Sequence, residues 1–224
     1  MRQRANNELR KIEVKVNVIP NADGSAYFAF GNTKALAAVY GPKELLPKFL
    51  QDDKKATVRV RYNMAPFSTD TRKSPGPDRR SIEISKVLKD AIENAIFVED
   101  YPRAAIDCYA EIISSDGSTR VTALNAISIS LALAGVAMKD LIAACTAGKY
   151  NGNLIIDLDQ EEDNNGEADL AFAILPNKED VVLLQMDGLL SKEELLKLFE
   201  MLRDATKKIY EEQVKAIKNY YENI

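Results

Sequence analysis

Ile12-Glu-Val-Lys-Val-Asn-Val18, Asn21-Ala-Asp-Gly24, Ser25-Ala-Tyr-Phe-Ala-Phe30, Gly31-Asn32 and Lys34-Ala-Leu-Ala-Ala-Val-Tyr40 form the stretch on which the fold turns. In the first segment Ile12, Val14, Val16 and Val18 alternate with Glu13, Lys15 and Asn17, the two-residue period of a strand with one buried face. Pro20 stops it, and Asn21 to Gly24 supply turn residues. Residues 25–30 and 34–40 read as two further strands joined at Gly31-Asn32, so the chain opens with an antiparallel meander.

Working outward, Val58, Val60 and Tyr62 alternate with Arg59 and Arg61, which predicts a strand with one cationic face. Residues 63–78 hold three prolines, a glycine and the run Ser68-Thr-Asp-Thr-Arg-Lys73, a long irregular segment of the kind that is functional or disordered. Ile82, Val87, Leu88, Ala91, Ile92, Ala95 and Ile96 share a helical face, predicting a helix over 80–98 that begins beside Arg79 and Arg80. A strand over 104–113, a polar turn at 114–118 and a small-residue helix over 121–134, closed by Gly135, follow. Strands are then expected near 141–148, 153–158, 168–175 and 181–186. A final helix starts at Ser191, with Glu194 completing a capping box, and runs to about Tyr220. Strand runs broken by helices, with hairpins in front, indicate α+β rather than doubly wound α/β. With no internal repeat, low-complexity tract or linker, residues 1–224 read as a single domain.

Composition sets chemical limits. A chain of 224 residues with 46% hydrophobic and 29% charged residues builds a substantial core and is neither disordered nor a disulfide scaffold. With no histidine it cannot assemble a Ser-His-Asp triad, a Cys-His dyad or a His-ligated zinc site. Cys108 and Cys145 lie in apolar surroundings and read as small core residues. No signal-peptide pattern occurs, and the longest uncharged run, 121–138, is interrupted by Thr122, Asn125, Ser128 and Ser130, so a cytoplasmic protein without a membrane span is expected. The net charge of −4 hides an asymmetry: residues 1–120 carry 20 Lys and Arg against 16 Asp and Glu, a net +4, and hold ten of the eleven arginines. The remainder carries 10 against 18, a net −8. Guanidinium groups suit bidentate phosphate contact.

Three constellations have the residue types of a site. Asp116-Gly-Ser-Thr-Arg120 lies where a strand gives way to a helix. There Gly117 permits a tight turn, the first helical amides are free donors, and Ser118, Thr119 and Arg120 add hydroxyls and a cation. An ordinary turn with Ser118 or Thr119 as N-cap fits the same five residues. Arg79-Arg80, with Arg72 and Lys73 in the preceding loop, cannot all enter a core, so they face solvent or an anion. The acidic group Asp157, Asp159, Glu161, Glu162, Asp163, Glu167 and Asp169 brackets Asn164-Asn-Gly166. That tripeptide reads as a turn between two strands, putting Asp163 and Asp169 on either side of a hairpin, where they hold a magnesium ion, present a general acid, or are merely solvated.

Together these pieces resemble the RNase PH family, most closely its catalytic ring subunits in the archaeal exosome. The likeness runs through Asn21-Ala-Asp-Gly-Ser-Ala26, Gly31-Asn-Thr-Lys34, Ala38-Val-Tyr-Gly-Pro42, Val60-Arg-Tyr62, Pro66-Phe-Ser68, Arg79-Arg80 with Glu83, Pro102-Arg103, Asp107 and Gly166-Glu-Ala-Asp169. The resemblance implies an RNase PH-like fold related to the βαβ unit of ribosomal protein S5 domain 2. It also implies 3′-to-5′ phosphorolysis of single-stranded RNA to nucleoside diphosphates, with tailing as the reverse reaction. By the same resemblance Arg80, Gly117, Ser118, Thr119 and Arg120 bind inorganic phosphate, Arg79, Arg72 and Lys48 hold RNA, and Asp163 is the catalytic carboxylate. Asp169 assists it, through magnesium or by positioning. The implied partners are an inactive RNase PH-like paralogue alternating in a hexameric ring and RNA-binding cap proteins. A stand-alone RNase PH trimming tRNA 3′ ends and a non-catalytic RNA-threading ring subunit are the alternatives. Relatives carry a basic arm with Arg-x-Asp-Gly-Arg where this chain has Met1-Arg-Gln-Arg-Ala5, and their phosphate loop often reads Gly-Gly-Thr-Arg or Ala-Gly-Ser-Arg. Ser118 and Thr119 therefore both stand as the source of the main hydroxyl.

Overall fold

The computed structural model describes residues 2 and 4–222; Met1 and Gln3 of the N-terminal run lie outside it. In chain order the elements are β1 (Ile12–Val16), β2 (Gly24–Phe30), β3 (Thr33–Glu44), β4 (Thr57–Met64), α1 (Arg79–Ala95), β5 (Ala104–Ser114), α2 (Thr119–Leu133), β6 (Ala143–Tyr150), β7 (Asn153–Ile156), α3 (Gln160–Asn165), β8 (Ala168–Leu175), β9 (Asp180–Gly188) and α4 (Lys192–Glu222). The first five strands form one sheet in the order β1-β2-β3-β5-β4, and the last four form a second in the order β7-β6-β8-β9. The expected meander is present: Phe30 pairs with Thr33 across a two-residue turn. Every pairing is antiparallel except that of β4 with β5, which is parallel.

Between the sheets runs α2, whose residues from Thr119 to Leu131, with the exception of Arg120, are buried on all sides. That is why its sequence is rich in small residues and lacks a polar stripe. Apart from Arg120, its few polar side chains find partners within the protein. The Asn125 amide accepts from the Ala144 N–H and donates to the Ala144 carbonyl, at 2.9 and 2.8 Å, standing in for a neighbouring strand. Gly24 makes the close crossing of β2 and α2 possible, since a Cβ there would lie 2.1 Å from the Ser130 carbonyl oxygen. One apolar cluster continues from Phe28 and Phe30 in the first sheet, through Leu124 and Ile127 of α2, to Phe172 of the second sheet and Leu198, Leu202 and Ile209 of α4. Cys108 and Cys145 sit inside it as expected, and burial pushes both thiols up. No helix among the described residues is long and apolar enough to cross a membrane.

One local expectation is corrected. Asn164 and Asn165 end a helix, α3, rather than forming a hairpin turn, and β7 and β8 do not pair with each other because β6 lies between them. The Asp159 side chain accepts from Glu162 N–H while Glu162 accepts from Asp159 N–H, a reciprocal cap that starts the helix. Glu161, Glu162 and Asp163 add negative charge at its N-terminal turn, where the helix dipole favours it.

Candidate active site

The parallel pairing of β4 and β5 decides where the site forms. Tyr62 pairs with Ala110 and Met64 with Ile112, so both strands finish at the same end of the sheet, and each is followed by a helix. The N-terminal turns of α1 and α2 therefore meet at that end, bringing Arg79 and Arg80 towards Thr119 and Arg120. On α1 the turn is rigid: Asp78 accepts from Ser81 N–H at 2.7 Å, and the Ser81 hydroxyl accepts from Asp78 N–H. These bonds, with Lys73 alongside, hold the Asp78 carboxyl down at about 2. On α2 the N-cap residue Ser118 makes no side-chain cap, which leaves the first amides of this helix without one.

The third component is α3, which docks on the turn before α2. Gly117, at φ +70°, lies against the backbone of Leu158 and Asp159, where a Cβ would come within 2.5 Å of the Asp159 carbonyl carbon. Asp116 accepts from Gln160 N–H at 3.2 Å, and the Ser118 hydroxyl donates to the Leu158 carbonyl at 2.7 Å. A buried ionic network fastens the same segment from the other side. Arg10 forms a bidentate pair with Asp157, at 3.0 and 2.7 Å, and Arg2 and Arg4 both reach Glu162.

These contacts place Asp163 within the fields of Arg80 and Arg120. Burial raises its carboxyl above the ordinary range, and the two arginines only partly offset this. Asp169, on β8, is raised by burial, by Asp163 and by Asp187, its cross-strand partner on β9, while Arg120 pulls the other way. Arg80, Arg120, Asp163 and Asp169, far apart along the chain, thus form one cluster. Thr119 joins it, its hydroxyl accepting from the buried Tyr62 hydroxyl at 3.0 Å. Asp157, Glu162 and Glu167 of the acidic group are ion-paired, whereas Asp163 and Asp169 have no ion pair among the described residues.

The remaining candidates are placed differently. The Ser118 hydroxyl points inward, to Leu158 and to Thr146 Oγ1 at 2.5 Å, whereas that of Thr119 is bonded to the Tyr62 hydroxyl, which lies in the fields of Arg80 and Arg120. Gly117 supports the turn from beneath. Arg79 and Arg72 are exposed, on the first turn of α1 and in the preceding loop. Lys48 is not brought to the cluster: it follows β3, beyond the Ala104 end of β5, roughly 30 Å from Ser114 at about 3.3 Å per strand residue. At that far end Asp107 is occupied by Arg59 and Lys43. Sequence reading also passed over Gln185, whose Oε1 accepts from Arg120 Nη1, and the anchoring role of Arg10. A neutral amide on a strand has no signal of its own. The Asp159-Gln-Glu-Glu162 capping pattern, by contrast, is a local signal that marks the start of α3, and sequence reading passed over it as well.

No group of three or more acids or cysteines among the described residues is arranged to hold a metal ion alone. Magnesium, however, is commonly held by one or two carboxylates together with substrate phosphates. Asp163 and Asp169, two carboxylates that lack ion pairs and that burial holds up, are a donor set of that size.

Two sheets around a buried helix make up an RNase PH-like fold, and Arg80 and Arg120 cluster with the half-buried Asp163 and Asp169 where α1, α2 and α3 meet. Residues 8–137 match the model of the 3′ exoribonuclease family, domain 1, and residues 140–203 match domain 2. The chain belongs to this RNase PH family of 3′ exoribonucleases. It is 53% identical to the exosome complex component Rrp41 of Pyrococcus furiosus, over 96% of this chain and 86% of that protein. The corresponding protein of Thermoplasma acidophilum is 49% identical, over 97% and 88%. Rice Rrp46 superposes with a TM-score of 0.83 at 25% identity, covering 94% of this chain and 96% of that one. A chain of the Archaeoglobus fulgidus exosome, solved with RNA bound to the active site, shares the fold with a TM-score of 0.80 at 22% identity over 93% and 90%.

Proposed function

We propose that this chain is a phosphate-dependent 3′-to-5′ exoribonuclease subunit of a ring-shaped exosome. The observation that carries the reading is the convergence of Arg80, Arg120 and the uncapped start of α2 on the half-buried Asp163. An anionic nucleophile attacking an anionic phosphodiester chiefly needs cations that relieve repulsion, and a phosphate dianion needs no base to deprotonate it. The absence of histidine is therefore no obstacle.

In the proposed reaction, Arg80, Arg120, Thr119 and the first amides of α2 hold phosphate against the terminal phosphodiester. A phosphate oxygen forms a bond to phosphorus, the bond to the 3′ oxygen of the preceding nucleotide breaks, and the terminal residue leaves as a nucleoside diphosphate. Asp163, whose carboxyl burial raises above its ordinary range, supplies the proton to the departing 3′ oxygen. Where Asp163 and Asp169 instead act as ionised carboxylates holding a magnesium ion, the metal would take the place of the proton in stabilising charge on that oxygen. Arg79 and Arg72 flank the cleft as contacts to the RNA backbone, and Lys48 meets the strand farther from the reacting bond. The ring partner is an inactive RNase PH-like paralogue, joined by RNA-binding cap proteins, in the cytoplasm. Similarity to Rrp41 proteins over nearly the whole chain supports the exosome setting.

The test is incubation of 3′-labelled oligo-RNA with the assembled complex, magnesium and phosphate. Wild type is expected to release nucleoside diphosphate only when phosphate is present. Asp163→Asn is expected to lose product formation by a factor of roughly 100 or more, in line with the loss of a general acid. Equal yields from the two proteins would overturn the role of Asp163, and RNA that stays intact at every phosphate concentration would mark a non-catalytic ring subunit.

A further inference from the structure

The Arg120 guanidinium is held by side chains that belong neither to α2 nor to the acidic pair. Gln185, on β9, presents its Oε1 to Arg120 Nη1, and its Nε2 donates to Glu83 Oε1 of α1 at 2.8 Å. The same Glu83 carboxylate stands 3.8 Å from Arg120 Nη2, beyond hydrogen-bond length. Arg120 Nε is buried and has no acceptor among the described residues. One nitrogen of the fork is thus fixed by a neutral amide, a second is loosely countered by a carboxylate, and the third is unsatisfied.

We infer that Gln185 and Glu83 set the affinity of this chain for inorganic phosphate, Gln185 by positioning Arg120 and Glu83 as a resident anion that the incoming oxyanion displaces. The inference rests on Arg120 being the phosphate ligand. Glu83 is suited to the role because its side chain is 48% exposed, so it can swing into water when phosphate arrives. An oxyanion at charge-assisted hydrogen-bond distance outcompetes a carboxylate at 3.8 Å for the same nitrogens. Gln185 remains in place because it is neutral and does not repel the ligand. It also ties α1 to β9, the two elements that frame Arg120.

The experiment uses the complex purified through a tag on this chain. Half-saturating phosphate and half-saturating RNA are measured by steady-state phosphorolysis, and equilibrium binding of inorganic phosphate is followed by calorimetry so that slow variants still report. Glu83→Gln keeps the shape and the link to Gln185 while removing the charge, and it is expected to lower half-saturating phosphate about threefold, the size of a partly exposed ion pair. Gln185→Ala is expected to raise it by a similar factor, with half-saturating RNA moving less in both variants. A purely structural role for either residue would weaken binding or leave it alone, and would not tighten it. On an Arg120→Ala background both effects must vanish, which separates action through Arg120 from a general change in cleft potential. Phosphate dependence that Glu83→Gln leaves unchanged or raises, or a gain that persists without Arg120, overturns the inference while the assignment of Arg120 stands. Phosphate dependence unaffected by Arg120→Ala alone takes down that assignment and the inference with it.

Discussion

Arg120 illustrates how one residue acquires its surroundings from a strand end, a helix start and two distant neighbours. Its charge and its place in Asp116-Gly-Ser-Thr-Arg120 were visible in sequence, as were Arg80, Asp163 and Asp169, but the residues alone fitted ordinary turns and solvated charges as well, and it was the resemblance to RNase PH that singled them out. Arg120→Ala should raise the phosphate concentration needed for half-maximal rate roughly tenfold or more, the worth of charge-assisted hydrogen bonds, while weakening RNA binding much less. Steady-state rates over a grid of phosphate and RNA concentrations check this. Ser118 shows what sequence could not resolve. Its hydroxyl and that of Thr119 are chemically equivalent neighbours, and only the left-handed backbone at Ser118, φ 54°, turns the first inward. Tyr62→Phe, which removes the donor to Thr119, is expected to cost about 1 kcal/mol of stability by thermal denaturation.

Among the elements, α1 and α4 were readable from their helical stripes, β1 and β4 from alternation, and α2 from its small residues and the closing Gly135, while α3 was mistaken for a turn. It is six residues long, too short to show a helical repeat, and it persists because its cap and the ionic anchors at Asp157 and Glu162 hold it. Arg10→Ala breaks a buried, bidentate pair and should destabilise the fold by about 3 kcal/mol, since it strands the Asp157 charge. A lower melting temperature, together with a lower kcat from the loosened α3, is the expected result. The cap of α1 has a pH signature. Asp78 is depressed to about 2 when folded, so its stabilising effect is complete above the ordinary aspartate range and is lost as pH falls towards 2. Asp78→Ala should cost about 1 kcal/mol at neutral pH, and the difference from wild type should shrink in acid, as followed by chemical denaturation.

At the scale of the whole molecule, the arginine-rich first 120 residues and the acidic remainder are not separate bodies: one cluster takes its cations from the former and its carboxylates from the latter. RNA affinity should therefore fall steeply with salt, and Arg79→Ala should lessen the slope of log affinity against log salt by about one, as measured by fluorescence anisotropy. A chain purified without any partner should show little phosphorolysis if the ring alternates with a paralogue, whereas full activity from a homo-oligomer would mark a stand-alone RNase PH. By itself the sequence determined the local alternations and helical stripes, and with them most elements, the meander and the motifs that resemble RNase PH, since each depends on residues within a few positions of one another. Only the tertiary structure decided that β4 runs parallel to β5, that α3 docks on Gly117, and that Gln185 grips Arg120 across 65 positions. Such pairings arise from burial and hydrogen bonding between distant segments, which no local pattern encodes, and they are what turns four separated charges into one site.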